Sequence, residues 1–123
     1  MMTGVVTAER EAALRLTIRS PQGQEQEVEA VIDTGFNGFL ALTAPLVAAL
    51  GLSYHSRTVV LLGDGSQTPL REYEGQVVWD GQERDILILE TDGGPLIGMA
   101  LLYGYRVTLD VVDGGPVTIA VLP

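Results

Sequence analysis

The sequence predicts an all-β fold with one or two short helices, and three observations support this prediction. Apolar residues such as Leu14, Leu16 and Ile18 alternate with polar ones over short stretches. This two-residue period is typical of half-buried strands. Turn sequences rich in glycine and aspartate separate the stretches, and only two short segments carry helix signals. At this length, residues 1–123 are expected to form one domain.

The first predicted element is a hairpin over residues 12–33. Its turn is Ser20-Pro21-Gln22-Gly23, a combination that favours chain reversal. The second strand begins polar at Gln26 and ends apolar at Ile32, so it should run from the surface into the interior. The hairpin is therefore expected to deliver Asp33, the next residue, to the interior.

A short helix is expected after this hairpin, followed by strands only. Thr43 suits an N-cap, Pro45 suits the first turn, and Gly51 suits the stop after Leu50. A tight turn with positive φ is expected at Asp80-Gly81. Further strands are predicted at residues 57–62, 70–73, 76–79, 86–89, 106–112 and 117–121, with a loop at 90–94 and a helical turn at 99–102.

Composition narrows the classes of function. The net charge is −9 and every basic residue is arginine, so a nucleic-acid partner, which needs a basic face, is not expected. The chain has no cysteine, which excludes disulfides, thiol nucleophiles and cysteine-based metal sites. No apolar run has the length of a membrane span, and the first residues do not resemble a signal peptide. The expectation is a cytoplasmic protein without a membrane partner.

The segment Val31-Ile32-Asp33-Thr34-Gly35 carries the strongest chemical signal. It is an apolar strand that ends in a carboxylate, followed by a hydroxyl and by a glycine that permits a sharp turn. One carboxylate is a weak general base at neutral pH, whereas two within about 3 Å share a proton and can activate a water molecule. Because the chain has one copy of this segment, a two-fold symmetric homodimer would have to supply the second carboxylate.

Three segments in order resemble the retropepsin-like aspartic proteases of clan AA, particularly their single-domain bacterial and archaeal members. They are Asp33-Thr34-Gly35, the glycine-rich turn Gly63-Asp64-Gly65-Ser66, and Leu96-Ile97-Gly98 before a short helix. The resemblance extends from the first hairpin to the last strand pair. It implies a closed β-barrel of the acid protease fold, equivalent to half of a pepsin, and a peptide-hydrolysing homodimer without metal or organic cofactor.

The resemblance also implies a role for each matching residue. Asp33 would be the catalytic aspartate, Thr34 would form a hydrogen bond across the dimer axis, and Gly35 would allow close approach of the substrate. The turn formed by Gly63, Asp64, Gly65 and Ser66 would be the tip of a flap over a bound peptide. Leu96, Ile97 and Gly98 would form the scaffold strand beside the active-site loop. The shared proton of the aspartate pair predicts activity at acidic to mildly acidic pH.

Three positions depart from the retroviral pattern. Phe36 replaces a small residue after the triplet and is expected to reshape a substrate subsite. Asn37 and Met99 occupy the positions at which retroviral enzymes carry an acidic residue and an arginine. In those enzymes the two residues form an ionic brace. A non-catalytic peptide-binding or dimerisation module of the same fold, or an assembly subunit, therefore remains an alternative. A structural role for Asp33, as a loop cap, is also open at the level of sequence.

Overall fold

The computed structural model describes residues 1–61 and 64–123, and strands dominate this part of the chain. The strands are β1 (Met2–Val6), β2 (Ala12–Arg19), β3 (Glu25–Ile32), β4 (Leu40–Thr43), β5 (Ser53–Leu61), β6 (Gln67–Trp79), β7 (Gln82–Thr91), β8 (Leu96–Ile97), β9 (Tyr105–Leu109) and β10 (Pro116–Val121). The two helices are α1 (Ala44–Leu50) and α2 (Met99–Leu102). Neither helix of the described residues is long and apolar enough to cross a membrane.

The strands form one sheet that closes on itself. Their order is β5-β6-β7-β4-β8-β3-β2-β1-β10-β9, and an additional pairing of β6 with β2 closes six of them into a barrel. Strands β1, β10 and β9 extend the sheet beyond the barrel as a three-stranded wing. The predicted closed β-barrel with two short helices is therefore confirmed.

The barrel is filled by side chains from alternate strand positions, as a two-residue period requires. In β2 the buried residues are Leu14, Leu16 and Ile18, while Arg15 between them is exposed. Strands β6 and β7 contribute Val77, Trp79, Ile86 and Ile88 to the same cluster of buried residues. The alternation visible in the sequence thus corresponds to the inner and outer faces of the barrel.

The predicted hairpin and the first helix are confirmed. Strands β2 and β3 pair antiparallel from Arg19 and Glu25 to Ala13 and Val31, and Asp33 follows directly. Helix α1 begins after Thr43, although the Thr43 hydroxyl makes no capping hydrogen bond. It ends at Gly51, whose φ of 62° is a left-handed conformation that glycine adopts readily.

Three predicted boundaries were wrong. Strand β5 begins at Ser53, four residues before the predicted start, and the two strands predicted at 70–73 and 76–79 are the single strand β6. Gly75 does not interrupt β6, because it pairs with Ile86, and a Cβ there would lie 2.6 Å from Ile88 Cδ1. Glycine at this position allows β6 to pack closely on the core. Strand β7 likewise continues to Thr91, into the predicted loop.

The wing also differs from the prediction. Strand β1 was not predicted, since its pairing with β10 is a long-range contact that local sequence does not reveal. Strand β9 ends at Leu109 and not at Val112. Residues 110–115 form a turn in which the Val112 N–H donates to the Asp110 carbonyl oxygen over 2.9 Å. The apolar side chains of Val111 and Val112 are consequently exposed in the turn.

Candidate active site around Asp33

Asp33 begins the loop of residues 33–39, which connects β3 to β4. Its backbone N–H donates to the Ile97 carbonyl oxygen over 2.9 Å, which ties the start of the loop to β8. Asp33 as a residue is half-buried, so the hairpin brings it only partly into the interior, and its Oδ1 accepts the Gly35 N–H over 2.9 Å. Within the described part of the chain, no hydrogen bond reaches Oδ2. One carboxylate oxygen is therefore held in place while the other is available to a ligand.

Strand β8 lies between the two strands that the Asp33 loop connects. It pairs parallel with β3 through Val31 and Ile32, and antiparallel with β4 through Leu40 and Ala41. The loop must therefore cross the carboxyl end of β8. This crossing places the start of α2 directly against the loop, so the predicted scaffold segment Leu96, Ile97 and Gly98 does adjoin Asp33-Thr34-Gly35.

Backbone hydrogen bonds join the loop to the first turn of α2. The N–H groups of Gly98, Met99 and Ala100 donate to loop carbonyl oxygens over 3.0, 2.7 and 3.1 Å. The acceptors are Phe39, Phe36 and Gly38, respectively. A helix normally leaves its first N–H groups without an intrahelical partner, and here the loop satisfies them. The conformation of the loop is consequently coupled to the position of α2.

Glycine at position 98 is required by this contact. A Cβ atom there would lie 2.0 Å from the Gly38 carbonyl oxygen and 2.7 Å from Phe36 Cδ2. A separation near 2 Å from a backbone atom cannot be relieved by rotating a side chain. Gly98 therefore permits the close approach of the two backbone segments that carry the site.

Phe36 lies against the same backbone. A Cβ at Gly38 would be 2.6 Å from Phe36 Cζ, and a Cβ at Gly98 would be 2.7 Å from Phe36 Cδ2. The Phe36 ring therefore packs against both glycines. The ring is half-buried and acts as packing within the loop. Its predicted contact with a substrate stays a prediction. The asparagine that follows, Asn37, is exposed.

The predicted flap corresponds to the β5–β6 hairpin. Residues Gln67–Arg71 of β6 pair only with β5, so this part of the hairpin extends past the end of β7. At its tip, Asp64 Oδ1 accepts the Ser66 hydroxyl over 2.6 Å and the Ser66 N–H over 2.9 Å. These hydrogen bonds, the hydroxyl first, hold the pKa of Asp64 below its ordinary value. Gly65 has a φ of 86°, whereas Gly63 lies outside the described residues.

Two arginines at the base of this hairpin were missed by the sequence prediction. Arg57 and Arg71 are direct cross-strand partners and line a cavity of about 260 Å³ together with Glu90 and Asp92. Glu90 lies 3.7 Å from Arg71 Nη1 and accepts the Tyr73 hydroxyl over 3.3 Å. Burial, and then the negative charge of Glu90, raise the pKa of Tyr73. Fourteen residues separate the two arginines in sequence, and only the hairpin register brings them together.

An apolar groove adjoins the loop that carries Asp33. It has a volume of about 560 Å³ and is lined by Ile32, Thr34, Met99, Leu102, Tyr103, Gly104, Tyr105, Val107, Leu109 and Leu122. Thr34 is exposed and opens into this groove, beside Asp33. None of the described residues that line it is charged. The apolar groove thus adjoins the Asp33 loop through Ile32 and Thr34 and adjoins α2 through Met99.

Among residues 1–61 and 64–123, there is no cluster of three or more acidic or histidine side chains that could bind a metal ion. The chemistry available at the site is that of the Asp33 carboxylate, the Thr34 hydroxyl and the backbone N–H groups of the loop. A single carboxylate can position or deprotonate a ligand, but the sharing of one proton between two acids needs a second carboxylate.

Comparison with known proteins supports the fold. None of the protein-family models and none of the curated proteins compared with the chain matches it. Four solved chains match in structure. One is the crystal structure of a retropepsin-like aspartic protease from Rickettsia conorii, with a TM-score of 0.59 and 16% sequence identity over 99% of this chain and 91% of that chain. At this identity the likeness shows that the chain has the retropepsin-like fold.

Proposed function

We propose that this protein is an aspartic endopeptidase that acts as a homodimer. The observation that carries the proposal is the position of Asp33: a half-buried aspartate, on a loop held against β8 and α2, in a barrel of the retropepsin-like fold. The hydrogen bond from the Gly35 N–H to Oδ1 is one that a loop cap would also form, so the place of the loop in this fold is what favours the catalytic assignment. Within the described residues only Oδ1 is used in this way. The structural similarity to a retropepsin-like aspartic protease from Rickettsia conorii supports this function.

In the proposed mechanism two Asp33 carboxylates share one proton across a two-fold axis. The ionised carboxylate removes a proton from a water molecule, and the water oxygen bonds to the carbonyl carbon of the scissile peptide. The protonated carboxyl donates its proton to the carbonyl oxygen, so a neutral tetrahedral diol forms without a covalent enzyme intermediate. As the diol collapses, the ionised carboxylate takes one hydroxyl proton, the protonated carboxyl donates its proton to the leaving nitrogen, and the C–N bond breaks. The pair again holds one proton.

The remaining site residues are assigned to binding. The hairpin tip of Asp64, Gly65 and Ser66 would close over an extended peptide, exclude bulk water and pair with the peptide backbone. Thr34 would donate a hydrogen bond across the axis, and Gly35 would leave room for the substrate backbone. Phe36 would shape a subsite from its place in the loop. A cytoplasmic location stays a prediction from composition.

The proposal is tested by replacing Asp33 with asparagine. The wild-type protein and Asp33→Asn are incubated with a mixed peptide library between pH 4 and 7, and products are quantified by mass spectrometry. Loss of the acid-base pair should reduce cleavage by about 10²- to 10⁴-fold, with wild-type activity highest in the acidic half of this range.

Asp113→Asn is the matched control, because Asp113 is an exposed carboxylate in the turn before β10. It should cleave the library at the wild-type rate. Equal cleavage by Asp33→Asn and the wild type would refute the mechanism. Binding of library peptides without cleavage by any of the three proteins would instead identify a non-catalytic peptide-binding module.

A further inference from the structure

Two positive charges lie side by side at the base of the β5–β6 hairpin. Arg57 and Arg71 are direct cross-strand partners, although the chain has only seven basic residues and a net charge of −9. Like charges at directly opposed positions destabilise a pair of antiparallel strands. The negative charges around the two guanidinium groups therefore decide whether this pair is a structural ion cluster or a site for an anion.

The protein itself neutralises the arginine pair only in part. Among the described residues, Glu90 provides the only carboxylate within 4.0 Å of either guanidinium, and it lies 3.7 Å from Arg71 Nη1. This separation is longer than a hydrogen bond, and Glu90 also accepts the Tyr73 hydroxyl over 3.3 Å. Asp92 is exposed and lines the same cavity, but it does not lie between the two guanidinium groups. In the part of the chain that the structure describes, Arg57 consequently has no carboxylate partner.

Both arginines lie on the inner face of the hairpin. Side chains alternate along a strand, so Arg71 is on the same face of β6 as Tyr73, Val77 and Trp79. Val77 and Trp79 are buried in the barrel, and Tyr73 packs against the same core. Arg57 shares this face, because it is the direct partner of Arg71. The cavity at the two guanidinium groups thus continues the inner face of β6 beyond the barrel.

The opposite wall of this cavity leads to the Asp33 loop. Residues 90–92 form the wall, and five residues after Asp92 the Ile97 carbonyl oxygen accepts the Asp33 N–H. Five residues of fully extended chain span at most about 17 Å. An extended peptide advances by about 3.3 Å per residue. A peptide side chain at most about five residues from the scissile bond is therefore within reach of the cavity.

We propose that Arg57 and Arg71 form a subsite for an acidic side chain, aspartate or glutamate, of a bound peptide. This proposal rests on the proposed function and deepens it by naming the class of substrate. A carboxylate between the two guanidinium groups would accept hydrogen bonds from both and replace their repulsion by two attractive pairs. The cavity of about 260 Å³ has room for one such side chain.

Glu90 has a positioning role in this subsite. Its side chain is only 21% exposed, and the Tyr73 hydroxyl holds one carboxylate oxygen while the other faces Arg71. Its charge would therefore hold Arg71 at the cavity wall without occupying the space beside Arg57. A basic peptide side chain is the opposite occupant, since Glu90 and Asp92 also line the cavity. The opposed arginines favour the acidic one, because their repulsion is relieved only by an added negative charge.

Peptide specificity tests the subsite. Among the library peptides that the wild type cleaves, aspartate and glutamate should be enriched at one position within about five residues of the cleaved bond. Two peptides are then compared that differ only by glutamate or glutamine at this position. At pH 6, where a glutamate side chain is ionised, kcat/KM should be at least about tenfold higher for the glutamate peptide.

Charge reversal separates recognition from a structural role. Arg57→Glu should reverse the preference, so that a lysine peptide is cleaved at least about tenfold faster than the glutamate peptide. This variant converts opposed like charges into an opposed ion pair, so its unfolding temperature should not fall below that of the wild type. Arg15→Gln is the matched control, because Arg15 is a 70% exposed arginine of β2 outside the cavity. It should keep the wild-type preference.

Binding tests the subsite without catalysis. Fluorescein-labelled peptide pools with either glutamate or glutamine at alternate positions are titrated with the Asp33→Asn protein, and binding is followed by fluorescence anisotropy. The glutamate pool should bind at least about tenfold more tightly, although the protein is acidic. Arg57→Glu in the same background should abolish this difference.

The proposal is overturned if the wild type prefers glutamine or a basic residue at every position, or if folded Arg57→Glu keeps the wild-type preference. Cleavage that depends on Asp33 without a preference for acidic peptides would refute the subsite and keep the endopeptidase. Tighter binding of the glutamate pool that Arg57→Glu abolishes, without any cleavage that depends on Asp33, would do the reverse.

Discussion

The contact between Gly98 and the Asp33 loop gives the sharpest test of how the site is held. Gly98→Ala would place a Cβ 2.0 Å from the Gly38 carbonyl oxygen, so the two backbones must separate. Separation would break the hydrogen bonds from the N–H groups of Gly98, Met99 and Ala100 to the loop. At about 1 kcal/mol for each bond, the free energy of unfolding should fall by about 3 kcal/mol.

This loss can be measured by thermal and urea unfolding. For 123 residues the unfolding entropy is about 0.26 kcal/mol/K, so the midpoint temperature should fall by about 12 °C. Gly94→Ala is the matched control, because a Cβ at this exposed glycine meets nothing within 4 Å. Its unfolding free energy should stay within about 0.5 kcal/mol of the wild type.

A double variant separates the backbone contact from packing against the ring. Phe36→Ala removes the ring atoms 2.7 Å from the new Cβ but leaves the Gly38 carbonyl oxygen in place. Phe36→Ala/Gly98→Ala should therefore be no more stable than Gly98→Ala. Recovery of stability in the double variant, or a loss below about 1 kcal/mol in Gly98→Ala alone, would refute the backbone argument.

Two further predictions concern the flap tip and β6. Ser66→Ala should raise the pKa of Asp64 in an NMR titration; because the fold lowers this pKa, the stability contributed by the turn is present above the unfolded-state pKa and is lost as pH falls through the folded-state pKa. An unchanged titration would contradict this. Gly75→Ala should lower the unfolding free energy by about 1–3 kcal/mol, since its Cβ would meet Ile88 Cδ1 at 2.6 Å. Ile88→Val removes that atom, so Gly75→Ala should cost less in an Ile88→Val background, and an equal cost would count against the contact.

Local sequence was sufficient for elements whose signals are contiguous. The hairpin of residues 12–33 was predictable from alternation, and α1 from Pro45 and Gly51. The turn at Asp80-Gly81 was also predictable, and both residues have positive φ, 52° and 79°. In each case the determining interactions connect residues that are close in the chain.

Long-range pairing explains what the sequence prediction missed. Strand β1 has an alternating burial pattern, but it becomes a strand by pairing with β10, more than a hundred residues later. The Arg57 and Arg71 pair depends on the register of β5 against β6, which local patterns do not fix. The contact of Phe36 with Gly98 likewise depends on how the loop crosses β8. The residue types of the sequence were sufficient to predict the candidate site at Asp33. The packing of the loop around Asp33 could not be predicted from them.

The position of Asp33 relates the proposed chemistry to the apolar groove. Ile32 and Thr34, its two neighbours in sequence, both line the apolar groove that β9 borders. The loop that carries it is held by backbone bonds to β8 and α2, and Met99 and Leu102 of α2 line the same groove. A molecule or protein chain bound in this groove would therefore contact the elements that orient Asp33. Occupation of the groove and orientation of the Asp33 carboxylate are thus expected to depend on one set of contacts, without the ionic brace whose positions are occupied here by Asn37 and Met99.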